Sequence, residues 1–147
     1  MFRNILVPTD GSALSRKAVK KAVALAKKTG ARVTGFHVSP EYRFNVYADY
    51  VPPDFIVPRE YEARQKKVAA RHLEVIKKEC GSAGVKCTTW FVCSDFPADA
   101  IVKAAKKYKC DLIAMASHGR SGFTKLLLGS ETQKVLAGTN IAVLVLR

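Results

Sequence analysis

Between Met115 and Thr132 the chain reads Met-Ala-Ser-His-Gly-Arg-Ser-Gly-Phe-Thr-Lys-Leu-Leu-Leu-Gly-Ser-Glu-Thr, with three glycines, one histidine, two cations and no carboxylate before Glu131. Small residues and backbone N–H groups between a strand and a helix can hold phosphate without an acid. Gly119 and Gly129 would let the backbone approach phosphate oxygens closely. Ser130 and Thr132 fall where a helix begins, and a helix N-terminus favours negative charge. Arg120 and Lys125 either neutralise phosphate or point to solvent. His118 is either an acid–base group or a structural hydrogen-bonder, and a lone loop histidine is more often the second.

A second polar turn lies near the start, at Pro8-Thr9-Asp10-Gly11-Ser12. Asp10 is its only acid and is suited to accept from ribose hydroxyls. Thr9 and Ser12 could add hydrogen bonds, although both are also good helix caps. Val38 closes the second strand-like run, where its backbone groups could meet a base.

The elements that must position these residues alternate regularly. Strands are expected at Asn4–Val7, Arg32–Val38, Lys86–Cys93, Asp111–Ala116 and Ile141–Leu146, each rich in β-branched or apolar residues. Between them, apolar residues recur at helical spacing. Ala18, Val19, Ala22, Val23 and Ala26 share one face of a helix from Ala13 to Thr29, which Gly30 would end. Ala69, Leu73, Ile76 and Cys80 share one face of a second, from Glu60 to Cys80. Ala98, Ile101, Ala105 and Tyr108 do so in a third, opened by Asp95-Phe96-Pro97, and a fourth ends near Ala137-Gly138. Nearly continuous apolar strands alternating with amphipathic helices predict an α/β fold: a doubly wound, open, five-stranded parallel sheet covered on both faces. If the chain starts in the middle of the sheet, the strand order is 3-2-1-4-5, and ligands bind where that order reverses. That crevice lies between the first and fourth strands, whose following loops are the two polar turns already described.

The stretch from Ser39 to Arg59 breaks the rhythm with four prolines and five aromatic residues. Loops this long tend to be functional, and its aromatics argue against a solvated linker. It is expected to fold over a surface, as a lid or a partner contact.

At 147 residues the chain is expected to form one domain, residues 1–147. No apolar run approaches the roughly 18–20 residues that span a bilayer. Met1-Phe2-Arg3-Asn4 leads directly into a strand without a signal-peptide pattern, so a cytoplasmic location is expected. Cys80, Cys87, Cys93 and Cys110 show no paired metal-ligand spacing and read as reduced, mostly buried thiols, with a Cys80–Cys87 bridge as the alternative. The net charge is +13, and between Gly11 and Pro40 seven Lys/Arg residues meet no acid. Such charge concentrates polyanions, yet it sits at helix positions facing water, as in Lys17, Lys20, Lys21, Lys27 and Lys28, and no nucleic-acid recognition motif accompanies it.

Over essentially its whole length the sequence resembles the universal stress protein family, in the branch that binds ATP. The resemblance is carried by Ile5-Leu6-Val7-Pro8-Thr9-Asp10-Gly11-Ser12, by His37-Val38, by Met115 to Ser130, and by Ile141-Ala142-Val143-Leu144-Val145. The family's ATP signature is Gly, two residues, Gly, nine residues, Gly, then Ser or Thr. Gly119, the nine residues from Arg120 to Leu128, Gly129 and Ser130 match it; Ala116 stands where the first Gly would be, and Gly122 lies inside the nine-residue span. The resemblance implies a Rossmann-like fold of the adenine nucleotide alpha-hydrolase type. It implies ATP as ligand, accompanied by Mg2+ or Mn2+, although the chain shows no dedicated acid cage for a metal. Pro8, Thr9, Asp10 and Val38 would line the adenine and ribose side. Met115, Ala116, Gly119, Gly129, Ser130, Glu131 and Thr132 would line the ribose and phosphate side. It also implies a homodimer through the last strand, residues 141–146, a bare hydrophobic edge that needs covering.

The expected function is a cytoplasmic, nucleotide-dependent regulatory or stress-response module acting on an unknown protein partner. No nucleophile, base and metal-ligand constellation marks an efficient phosphoryl-transfer enzyme, so no catalytic residue is assigned. Slow ATP hydrolysis or self-phosphorylation is the first alternative and a basic nucleic-acid-associated protein the second.

Overall fold

A computed structural model of the chain describes residues 1–43, 55–119 and 127–147. Among the described residues, five strands and four helices alternate: β1 (Asn4–Pro8), α1 (Ala13–Thr29), β2 (Arg32–Ser39), α2 (Pro58–Ala83), β3 (Cys87–Cys93), α3 (Pro97–Lys107), β4 (Leu112–Ala116), α4 (Ser130–Gly138) and β5 (Ala142–Leu146). They form one parallel sheet in the order β3-β2-β1-β4-β5, as the alternation of strand and helix predicts.

Local signals explain most boundaries. Ser12 caps α1 by accepting from the Ser15 N–H at 3.1 Å, and Gly30 ends it in the left-handed region at φ 73°. Pro58 starts α2, whose buried residues are Ala69, Leu73, Ile76 and Cys80, the four that helical spacing selects. The helix runs on through Gly81 to the left-handed Gly84, so only the second glycine marks the exit.

Side chains alternate across the sheet with period two. Ile5, Val7, Val33, Leu112 and Ala114 pack beneath α1 and α2 with Val19, Val23, Leu73 and Ile76. Leu6, Phe36, Ile113 and Met115 pack on the other face against Ala98, Ile101, Ala105 and Val135 of α3 and α4. Burying each Val, Leu or Ile in these layers contributes about 1.5–3 kcal/mol. The two central strands are tied at their amino ends. The Asp111 carboxylate accepts from the N–H groups of Arg3 at 2.9 Å and Asn4 at 3.0 Å. Burial pushes that carboxyl up, but these N–H groups outweigh it and hold it below the usual carboxylate range.

Three expectations are corrected. Tyr108 packs against the α3–α4 core layer, but from the C-cap rather than from within the helix; it is half-buried and stacked on Trp90 at 5.1 Å, because the helix ends before it and Lys109 turns the chain at φ 53°. Asp95 does not serve the first turn of α3; it accepts from the Glu41 N–H and pairs with Arg43 at 3.1 Å, and Asp99 is the first-turn acid. The thiols are free, but only Cys80 and Cys110 are buried, since Cys87 and Cys93 lie on the edge strand β3.

Of the aromatic stretch from Ser39 to Arg59, residues 44–54 lie outside the described residues, and its lid or partner role with them. Its two described ends are joined: the Tyr42 hydroxyl donates to the Ile56 carbonyl at 2.6 Å, and Tyr61 donates to the Pro40 carbonyl at 2.8 Å.

Candidate functional site

The sheet opens where its order reverses. β1 pairs with β4 at Ile5↔Leu112 and Leu6↔Ile113, yet runs on against β2 to Pro8↔Phe36. Beyond Leu6 the two central strands part, and the loops that follow them border the gap. A cleft of about 460 Å³ lies there, within the range of small-molecule sites. Its wall includes Pro8, Thr9, Asp10 and Val38 from one side, and Met115, Ala116, Gly119, Gly129, Ser130, Glu131 and Thr132 from the other. All eleven residues that the resemblance assigns to the nucleotide therefore border one space. Among the described residues, Ser15, Phe36, Pro97, Ile101, His118, Leu127 and Leu128 also line it.

The first wall is a turn held by its own side chains. The Thr9 hydroxyl shares a 2.7 Å hydrogen bond with Ser15 Oγ and accepts from the Gly11 N–H at 3.2 Å. Asp10 Oδ1 accepts from the Ser12 N–H at 2.9 Å, an Asx turn that fixes the carboxylate. Gly11 takes φ 79°, and a β-carbon there would overlap the ring of His72 on α2. His37 completes the support, with Nδ1 2.8 Å from the Thr9 carbonyl oxygen and its ring edge-on to His72 at 4.8 Å. The family resemblance takes in His37 beside Val38; His72 carries no such signal, because only the packing of α2 brings it to the loop.

The second wall leaves β4 at Ala116. Thr132 donates to the Ala116 carbonyl at 3.0 Å and is buried, so its hydroxyl pins α4 to the strand end. The Gly129 N–H donates to the Ser117 carbonyl at 2.7 Å. A β-carbon on Gly129 would lie 3.0 Å from that oxygen and 3.1 Å from His118 Cα, so glycine is needed for the loop's own crossing of backbones. Its φ of −60° is open to any residue. Ser130 begins α4 on the exposed side, and the first N–H groups of that helix have no intrahelical partners.

Glu131 lines the cleft, but its carboxylate is engaged elsewhere. Oε2 accepts from the Ala98 N–H at 3.0 Å, in the first turn of α3, and Oε1 meets Lys134 at 3.2 Å. It thereby joins the N-termini of α3 and α4 and brings Pro97 and Ile101 to the cleft, residues that sequence spacing alone does not link to it. His118 Nδ1 lies 2.9 Å from Ser117 Oγ, but Ser117 is buried and is not part of the cleft wall, so this adjacent pair presents no nucleophile. Arg120, Gly122 and Lys125 lie outside the described residues. Among the described residues no group of three or more His, Cys, Asp or Glu side chains could hold a metal ion, and no helix is long and apolar enough to cross a membrane.

The arrangement can hold a flat apolar group among Phe36, Val38, Ile101 and Met115, accept hydrogen bonds at Asp10, and offer unpaired helix N–H groups to an anion. Comparison with known proteins agrees with this architecture. The model of the universal stress protein family matches residues 1–147. Universal stress protein YxiE of Bacillus subtilis is 34% identical over 151 residues, covering 100% of both chains. Universal stress protein MJ0577 of Methanocaldococcus jannaschii is 31% identical over 156 residues, covering 100% of this chain and 96% of its own. The solved MJ0577 structure superposes with a TM-score of 0.83, covering 99% of this chain and 96% of that one. A universal stress protein solved in complex with cAMP shares the fold at a TM-score of 0.70 and 24% identity, covering 99% of this chain and 97% of that one.

Proposed function

This chain belongs to the universal stress protein family, and on that premise we propose that it is a cytoplasmic, ATP-binding regulatory module that works as a homodimer. One observation carries the reading: the turn after β1, the turn after β4 and the first turn of α4 line a single cleft at the reversal of the sheet. Adenine would rest against Val38, Ile101 and Met115. The ribose hydroxyls would donate to Asp10, whose carboxylate the Ser12 N–H already orients. The phosphates would take the N–H groups at Gly119, Ser130 and the rest of the first turn of α4, with Ser130 adding its hydroxyl. A relative of the same fold was solved with cAMP, an adenine nucleotide, which supports the ligand class.

The residues present fit such a ligand. The cleft has an apolar wall, one oriented carboxylate and a helix N-terminus free of a side-chain cap. A divalent ion would be carried on the triphosphate, since Mg2+ commonly uses substrate phosphates with few protein ligands. Ala116 adds one methyl where the family signature has glycine, at the buried end of β4.

The whole chain, residues 1–147, is read as one domain. β5 ends the sheet, and Leu144 on it is 36% exposed, which supports pairing with a second copy along residues 141–146. Slow ATP hydrolysis or self-phosphorylation remains the alternative output of the same site. The exposed lysines of α1 favour a nucleic-acid role only through bulk charge.

Mass spectrometry of small molecules released from freshly purified protein, followed by titration calorimetry with ATP, tests the reading. Co-purified ATP or a saturable exotherm with ATP is the expected result. A folded protein that takes no adenine nucleotide overturns it. ATP turnover above background that disappears in His118→Ala would move the protein to the enzyme alternative.

A further inference from the structure

Cys80 and Cys87 come together on the side of the sheet opposite the α3–α4 layer. Cys80 lies in the last turn of α2 with no exposed surface. The Val85 N–H donates to its carbonyl at 2.9 Å, closing the turn that leads to Cys87, the first residue of β3. Val85 and Cys87 both pack against the α1–α2 core layer that contains Cys80, as residues two apart on a strand should. The register agrees. Cys87 pairs with Val33 and Thr89 with Gly35, and at Gly35 a β-carbon would meet Ile76 of α2 at 3.0 Å and Thr89 at 3.1 Å. This face of β3 thus lies directly under the end of α2.

The Cys87 thiol donates to the Thr88 carbonyl at 3.8 Å. Its interaction with the Cys80 thiol lowers it from its ordinary range; burial opposes this, and Lys77 and the Gly35 N–H assist it. The same interaction, with burial, raises Cys80. Cys87 is half-buried and Cys80 fully buried, so an approaching reagent meets Cys87 first.

We propose that Cys87 and Cys80 form an oxidation site for small peroxides, with Cys87 as the attacking sulfur and Cys80 as the resolving one. The Cys87 thiolate attacks one oxygen of hydrogen peroxide; an S–O bond forms, the O–O bond breaks, and the released hydroxide takes a proton and leaves as water. Cys87 is then a sulfenic acid. The Cys80 sulfur attacks the Cys87 sulfur, forming the S–S bond as the S–O bond breaks, and the Cys80 proton departs with the hydroxyl as a second water. Two thiols and one peroxide become one disulfide and two waters, the sulfurs losing two electrons and the peroxide gaining them. The product would staple the C-terminal end of α2 to the edge strand.

The test treats the full chain carrying Cys93→Ser, which removes the exposed competing thiol, with stoichiometric hydrogen peroxide. Intact mass should fall by about two units, and peptide mapping should join Cys80 to Cys87, reversibly with dithiothreitol. In a Cys80→Ser version, dimedone should label Cys87; in a Cys87→Ser version, labelling at residues 80–87 should fall at least tenfold. Because Cys80 is buried, circular dichroism checks each variant, and differential alkylation of the unaltered chain gives a readout that needs no substitution. A linked Cys80–Cys87 peptide with Cys87 losing alkylation first supports the site. Peroxide consumed at Cys110, first labelling at Cys80, or unchanged mass at tenfold excess overturns it.

Discussion

Asp10 and Gly119 stand face to face across the cleft, so close that a β-carbon on Gly119 would lie 2.9 Å from Asp10 Oδ2. The turns after β1 and β4 are far apart in sequence, yet here they nearly touch. The atom in the way is the tip of a side chain rather than backbone. Gly119→Ala should therefore leave stability within about 0.5 kcal/mol while pushing the carboxylate off its position. ATP affinity, read by calorimetry, should fall roughly tenfold, the size of one hydrogen bond to a charged group. Asp10→Ala should cost the same, and the double variant little more, since both remove one contact. Additive losses would mean that Gly119 acts on the ligand by itself.

Gly129→Val tests the second wall differently. The new side chain meets the Ser117 carbonyl and His118 Cα, both backbone, so the loop has to move. We expect a stability loss of about 1–3 kcal/mol by chemical denaturation and no measurable ATP binding by the folded variant. Wild-type affinity would remove the α4 N-terminus from the site.

Glu131 gives an opposite expectation for two readouts. Its carboxylate caps the first turn of α3, so Glu131→Ala should cost about 1 kcal/mol in urea unfolding and Glu131→Gln less. Because that carboxylate is engaged away from the ligand, Glu131→Gln should bind ATP at least as well as the unaltered chain. Weaker binding would place the carboxylate on the ribose.

Asp111 predicts a pH dependence. Its carboxyl is held below its unfolded value, so its contribution is present at neutral pH and is lost as pH falls through the folded value. Thermal unfolding from pH 7 downward should show the unaltered chain losing its advantage over Asp111→Asn only below about pH 4. A constant gap down to strong acid would contradict the assignment.

Much of this was legible beforehand, for a physical reason. Strand and helix periodicity are short-range properties, and they locate Ile5–Val7, the apolar faces of α1 and α2, and the alternation that makes the sheet parallel. Parallel order and crossover topology then confine a ligand to the carboxyl ends of β1 and β4, so the turns at Pro8–Ser12 and Ala116–Gly129 could be paired before any coordinates. What the chain alone could not decide is where each polar group spends its hydrogen bonds. Thr132 lines the cleft while its hydroxyl donates to Ala116, and Glu131 lines it while its carboxylate caps α3, 33 residues away. His72 reaches Gly11 only because α2 lies down on the sheet beside the turn after β1. Periodicity tells which face of an element is buried. Which atoms meet across that buried face is settled only when the helices dock, because docking brings together residues that no local spacing connects.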